Sequence, residues 1–443
     1  MVTNARDWRS EPAPAWAQPD VPAHHIEGSR YTDRDFAAAE WDGMWSRVWL
    51  LLGRAREMPN PGDYQVEDVG PESFIMVRQD DGSIRAFYNV CQHRGSRLIF
   101  NAAGSVESIS CPYHSWTYGR DGELLVVQDP EDFSSGNPCE RLSLVEVRCE
   151  TFAGWVWVNM DPDCVSLREY LGPVWDEWQS WQPEDWRRSL AISAWVPCNW
   201  KVIQDNFCES YHLLTVHPQL TANIEEGVPW TRFDMANEGH NRMIMQAGMP
   251  SHRQAEGPKL VEPLLSQMAM WELDPDDFAG REHDTRAAIQ QQMRNLGPPR
   301  GYAHYDRLRD EQLTDPHHYN IFPNCSVTFG ADSVLLQRMR PHPTDPQQCR
   351  FDHWTYVAPA AIEHGLFRNS DGRVEFTGDA EIKEVEYGKE SMGPIADQDI
   401  GITTGQQLGL RSRGYRGANL ADQESRIARF HGVIDEYMAG QRP

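Results

Sequence analysis

Between Cys91 and His114 the chain sets two thiols and two imidazoles in alternating pairs, Cys91-Gln92-His93 and Cys111-Pro112-Tyr113-His114, with Arg94 to Ser110 between them. Four such donors suit a tetrahedral Zn(II). They equally suit a [2Fe–2S] cluster in which two Cys hold one iron and two His hold the other. Zinc spacings usually group Cys with Cys and His with His. Here each arm carries one of each, so each loop would touch both irons, and neutral imidazole in place of thiolate would raise the reduction potential. Gly95 and Pro112 permit tight loops, and Tyr113, Ser115 and Tyr118 could donate hydroxyl hydrogen bonds to sulfur.

The 443 residues allow two or three domains and a large core. An excess of 66 acidic over 41 basic side chains, net −25, argues against nucleic acid and against an anionic membrane as partners. No apolar run reaches spanning length and no signal-peptide core is visible, so a cytoplasmic protein is expected. Nine cysteines, an odd number, fit reduced thiols better than a disulfide framework.

Residues 1 to about 30 read as a Pro- and Ala-rich lead-in. Tyr31 to Leu52 has helical spacing with Thr32 as N-cap. From Gly62 to Asn159 short strands dominate (64–66, 74–77, 84–88 and 155–158), with Asp81-Gly82 and Asp121-Gly122 as hairpin turns. The Cys/His loops therefore belong to the tips of a small antiparallel domain. Helical spacing returns over Leu167 to Trp181 and over a charged stretch at 250–315. Strands are expected between Tyr319 and Tyr356, and a closing helix over Gln423 to Met438.

The second anchor is Asn199 to Pro218, which reads as a helix carrying Asp205, Asn206, Glu209, His212 and His217. On an ideal helix His212 and His217 would stand about 140° apart and could not share an ion. Pro218 disfavours helical backbone at His217, so that imidazole can swing back toward His212. Two imidazoles and one carboxylate with open positions form the facial triad of non-haem Fe(II) sites.

The Cys/His loops and the segment Asn-Trp-Lys-x(4)-Asp-Asn-Phe-x-Glu-x-Tyr-His-x(4)-His about a hundred residues later resemble the large (α) subunit of Rieske non-haem iron aromatic-ring-hydroxylating oxygenases. The likeness includes Trp49 to Tyr64 and Ile321 to Asn324, and spans nearly the whole chain. It implies an α+β architecture: an arm and helix over 1–46, an all-β Rieske domain over 47–165, and a catalytic domain over 166–443 built on a helix-grip-type antiparallel sheet. It further implies a [2Fe–2S] cluster on Cys91, His93, Cys111 and His114, and Fe(II) on His212, His217 and Asp399. Asp399 is chosen for its offset from Gln407-Leu408-Gly409-Leu410-Arg411-Ser412; Asp397 is its competitor, and Glu384 and Glu386 are read as a solvated face.

By the same resemblance Glu209, beside His212, would bridge to His114 of a neighbouring subunit in a head-to-tail homotrimer, with or without a small β subunit. Asp205 is second choice for that bridge and is expected to be structural, and Asn206 is assigned with Glu209 to the catalytic set. No dinucleotide fingerprint and no plant-type ferredoxin cysteines occur, so NAD(P)H electrons would arrive through a separate flavin reductase or ferredoxin, with O2 as co-substrate. A small apolar aromatic or alicyclic substrate is expected against Phe207, Leu213, Val216, Phe233, Met243, Val327, Phe329 and Leu335. Arg242 or Arg338 could clamp a carboxylate. The products would be a diol, an alcohol or a dealkylated compound. The other class is a Rieske electron carrier, which would need none of His212, His217 and Asp399.

Overall fold

A computed structural model describes residues 15–442, apart from 18, 22–24, 255, 364–367, 370, 371, 374, 375 and 377. The expected N-terminal lead-in falls largely outside them. The chain forms two compact units.

The first unit is built on residues 39–170. Its seven-stranded sheet runs, in spatial order, Leu50–Arg54, Trp155–Asn159, Glu146–Phe152, Ile84–Tyr88, Glu72–Arg78, Asp63–Val69 and Ala103–Ser105. A three-stranded sheet of Ser108–Ser110, Thr117–Gly119 and Leu124–Val126 stands beside it. The two Asp-Gly pairs do turn the chain, with Gly82 at φ 85° and Gly122 at φ 86°, a backbone conformation that glycine tolerates best. Ile75, Val77, Phe87, Ile109, Trp116 and Tyr118 form a core shared by both sheets, and Cys91 and Cys111 are part of it.

Three local expectations are corrected. Helix occupies Ser29–Thr32 and Arg34–Glu40, with a wider turn over Trp41–Trp45, but Leu50–Leu52 is strand, fully buried and paired with Trp157 and Val158. Burial on every side makes an apolar run ambiguous between helix and strand, and cross-strand pairing decided it. The cap there is Asp33, which accepts from the Asp35 N–H at 2.8 Å, whereas the Thr32 hydroxyl donates to Gly28 O. Gly172 (φ 51°) and Pro173 also divide the helix expected over 167–181 into Leu167–Leu171 and Pro173–Trp178.

The second unit gathers residues up to 38, 171–340 and 346–436 around an eight-stranded sheet. Its spatial order is Thr231–Met235, Asn241–Met245, His317–Ile321, Cys325–Phe329, Ser333–Pro341, Cys349–Val357, Arg187–Val196 and Lys383–Glu384. Arg187–Val196 pairs antiparallel with Cys349–Val357 and parallel with Lys383–Glu384, and the pairings from Thr231–Met235 through Ser333–Pro341 are antiparallel. Helices Trp200–Phe207 and Pro394–Leu410 pack on each other, and Ser425–Met438 closes the chain as expected. The 250–315 stretch is helical in pieces, chiefly Leu264–Met270 and Thr285–Leu296.

Within this sheet Arg338 is committed. Its Nε donates to Asp352 at 2.8 Å, and Arg340 (2.9 Å) and Ser193 (2.7 Å) donate to the same carboxylate. Arg242 is likewise held by Glu177 and Asp234 with no exposed surface. Neither arginine is available to clamp a substrate carboxylate, because buried charges are retained only when paired.

Burial alone would raise the Asp352 pKa, but Arg340, Arg338 and Arg350 hold it far below the usual carboxylate range. A depressed folded pKa gives stability that is present above the unfolded value of about 4 and lost as pH falls below it. Asp352→Ala should therefore cost ~3–5 kcal/mol at neutral pH. Denaturant unfolding checks this, and the deficit should shrink as pH falls below about 4.

Candidate metal centres and substrate cavity

The helix predicted over 199–218 is interrupted. It begins with Asn199 as N-cap, whose side chain accepts from the Lys201 N–H, and it ends at Phe207. The next helical turn is only Leu213–Val216, with His212 just before it and His217 just after. His217 has φ −124° and ψ 51°, outside the helical region as Pro218 requires. The break is held in place by His318. One ring nitrogen donates to the Phe207 carbonyl at 2.7 Å, and the other accepts from Thr328 at 2.7 Å.

The third arm comes from the Pro394–Leu410 helix. Gln407 accepts from the Asn199 N–H at 2.9 Å, and Thr403 lies 3.8 Å from Cys198 Sγ, so this helix is tied to the start of the histidine segment. One turn earlier it presents Asp399. Ligand atoms of His212, His217 and Asp399 all lie within 4.8 Å of one another. Asp399 Oδ1 is 2.8 Å from His217 Nε2 and 3.4 Å from His212 Nε2. Asp397 is not in this group; it holds the Ser391 hydroxyl and the Met392 N–H. Glu384 and Glu386 are exposed.

Each imidazole is oriented from behind. Glu209 Oε1 takes His212 Nδ1 at 2.6 Å, and its other oxygen takes the His212 N–H at 3.1 Å. The expected contact exists, although a turn rather than a continuous helix creates it. Gln398 Oε1 takes His217 Nδ1 at 2.8 Å and also the Gln219 amide at 2.7 Å. With Glu209 and Gln398 taking the two Nδ1 protons, both Nε2 atoms are turned toward Asp399, where they could ligate a shared metal. Asn206 Nδ2 donates to Asp399 Oδ1 at 2.9 Å and fixes that carboxylate. Asp205 points elsewhere, accepting from Tyr31 Oη at 2.6 Å and pairing with His431. Gln398 was missed because an amide beside a ligand leaves no periodic signal.

The site is built for a cation. Burial disfavours charge on His212, yet hydrogen bonds to Asp399 and Glu209 push its pKa up to about 9. Burial likewise opposes ionised Asp399, but the two imidazoles bring it down to about 2. Carboxylates that draw a proton onto an imidazole would draw a divalent metal in its place. Two nitrogens and one oxygen with open positions suit Fe(II).

In the first unit Cys91 and Cys111 are buried and their sulfurs are within hydrogen-bonding reach of each other. The His93 and His114 rings meet edge-on at 4.7 Å. His114 Nδ1 is buried with no partner, a cost that a bound metal would remove. Burial opposes the Cys111 thiolate, but the N–H groups of Tyr113 and His114, together with Cys91 and Ser96, outweigh it and lower the pKa. The residues present fit a [2Fe–2S] cluster.

Of the three expected hydroxyls, only Tyr118 reaches sulfur, 3.3 Å from Cys91 Sγ. Tyr113 faces solvent and accepts from Arg94, and Ser115 serves the turn with φ 57° and an N–H to Cys111 O. Tyr118→Phe would remove a donor to the thiolate and favour the oxidised cluster. The midpoint potential should fall by on the order of 50 mV in redox titration, with iron and sulfide unchanged.

A cavity of about 340 Å3 opens on His212, His217 and Asp399. Phe207, Leu213, Met243 and Leu335 line it as expected. Val216, Phe233, Val327 and Phe329 are not among its lining residues. Val327 and Phe329 lie on the opposite face of their strand from Thr328, which does line it, because side chains alternate along a strand. Phe233 packs behind, against the Leu213, Met243 and Met245 cluster.

Residues 183–440 match the ring hydroxylating alpha subunit (catalytic domain) family, and residues 48–135 match the Rieske [2Fe-2S] domain. The chain belongs to the ring-hydroxylating alpha-subunit family. A Rieske domain followed by this catalytic domain implies a Rieske cluster and a mononuclear iron, the two groups that the Cys/His loops and the His/His/Asp site fit. The benzene 1,2-dioxygenase alpha subunit of Pseudomonas putida is 34% identical over 365 residues, covering 79% of this chain and 75% of that protein. The carnitine monooxygenase oxygenase subunit of Escherichia coli is 31% identical over 223 residues, which is 50% of this chain and only 57% of the relative. Solved structures share the fold. A quaternary ammonium Rieske monooxygenase superposes with TM-score 0.64 at 20% identity, covering 99% of this chain and 100% of that one. Naphthalene 1,2-dioxygenase does so with TM-score 0.64 at 18% identity, covering 99% and 96%.

Proposed function

We propose that the chain is the terminal oxygenase component of a multicomponent system, inserting oxygen from O2 into a neutral organic substrate with NAD(P)H electrons delivered by a partner flavin reductase or ferredoxin. The observation that carries this reading is the His212, His217 and Asp399 group opening directly on a substrate-sized cavity. A simple Rieske electron carrier has no use for such a site. When bound, the cluster supplies single electrons and the iron supplies O2 activation.

The chain's own part is placement. Glu209 and Gln398 hold the two Nδ1 protons, and Asn206 holds Asp399. Leu213, Leu220, Met243 and Met245 make one wall apolar and exclude water from it. We further propose a homotrimer in which Glu209 accepts from His212 of its own copy and from His114 of the next, a heterologous contact that closes into a ring. Among the described residues no helix is long and apolar enough to cross a membrane.

The test is purified protein with a flavin reductase, a ferredoxin and NADH under 18O2. The expected result is label in a product from an aromatic or alicyclic panel, with NADH consumed in proportion. Iron- and sulfide-replete protein that oxidises NADH without labelling any panel member would count against the oxygenase reading.

A further inference from the structure

The cavity has a second character that its apolar wall does not explain. On the Ser333–Pro341 strand the residues facing it are Ser333, Leu335 and Gln337, and on Cys349–Val357 they are His353 and Thr355. Gln337 and His353 are 3% and 8% exposed and bond to each other, Gln337 Nε2 to His353 Nδ1, at 3.3 Å. Among the described residues nothing engages the remaining polar atoms, Gln337 Oε1 and His353 Nε2. Burial keeps His353 neutral, its pKa brought down to about 4. A neutral imidazole that accepts at Nδ1 carries its proton at Nε2, so the pair offers one donor and one acceptor. Turning the amide over reverses which residue plays which part and leaves the same offer. Ser210 adds a buried hydroxyl on the cavity lining with no partner.

The lining is otherwise without usable charge. Among the described residues it contains no Lys or Arg, and its two carboxylates are taken, Glu209 by His212 and Asp399 by His212, His217 and Asn206. Burying an unpaired carboxylate there would carry a large desolvation cost. A quaternary ammonium group would meet one aromatic ring, Phe207, besides imidazoles, rather than a cage of Trp and Tyr faces.

Resting on the oxygenase reading above, we propose that Gln337 and His353 are specificity-determining residues. They select a mainly apolar substrate carrying one uncharged group that both donates and accepts, a hydroxyl or a carboxamide, and they disfavour carboxylates and quaternary ammonium groups.

Binding to the metal-loaded protein tests this without turnover. The probes are tetralin, 1-tetralol, 1-naphthoate and benzyltrimethylammonium, titrated by calorimetry. 1-Tetralol should bind about tenfold more tightly than tetralin, and the two charged probes more weakly than either. In Gln337→Met and His353→Phe proteins that retain iron and sulfide, the tetralol-to-tetralin ratio should fall toward one. Equal binding of tetralol and tetralin by the unaltered protein would overturn the proposal, as would tightest binding of a charged probe or a preference that survives both substitutions. The two readings fail separately. Preference for tetralol with no 18O incorporation removes the oxygenase reading and leaves the wall. Incorporation into tetralin as efficient as into tetralol removes the wall and leaves the oxygenase.

Discussion

Asp399→Ala is expected to abolish turnover and strip the mononuclear iron while leaving the red Rieske absorbance intact. Two imidazoles remain after the substitution, and they hold a hard divalent ion weakly without the anionic oxygen. The carboxylate is 3% exposed and is the point on which His212, His217 and Asn206 converge. Its loss therefore also leaves the Asn206 amide and both Nε2 atoms without a partner. Metal analysis should give about two irons per chain in place of about three, with sulfide unchanged. Asp397→Ala serves as the control. That side chain caps Ser391 and Met392 and touches no histidine, so it should retain the third iron and most activity. Loss of the iron in Asp397→Ala and its retention in Asp399→Ala would reverse the assignment.

Glu209→Gln carries the second large effect, and it separates holding the metal from feeding it. The amide oxygen can still accept from His212 Nδ1, and only the longer bond from the His212 N–H is lost, so iron, cluster and trimer should all persist. What disappears is the anionic acceptor shared, in the proposed trimer, by His212 and His114 of the neighbouring copy. Product formation should fall by about 10–100-fold. Stopped-flow should show a reduced cluster that is reoxidised slowly by O2 and substrate. Glu209→Ala should be more severe, because it leaves the His212 ring as well as its N–H without a partner. Full activity in Glu209→Ala, or an active monomer in sedimentation, would remove the carboxylate from the electron route.

What the sequence by itself determined was the chemistry carried by short, local patterns. Cys91, His93, Cys111 and His114 lie on two loops whose spacing alone pairs thiolates with imidazoles. The His212 to Pro218 segment announced both histidines and, through the proline, the bend that lets them converge. Alternation and Asp-Gly turns marked the strands around the Cys/His loops, because side-chain period and turn chemistry act within a few residues.

The tertiary structure decided what depends on distant partners. Leu50–Leu52 reads as helix until its pairing with Trp157 and Val158 is known. The helix break after Phe207 rests on His318, more than a hundred residues away. Gln398 acquires its part only because its helix is anchored through Gln407 to Asn199. The cavity's composition turned on strand register: a shift of one residue exchanges the faces of a strand, and no local signal sets it. Register placed Thr328, Gln337 and His353 toward the cavity beside His212, His217 and Asp399 and turned Val327 and Phe329 away, which is why a lining expected to be apolar has one polar wall.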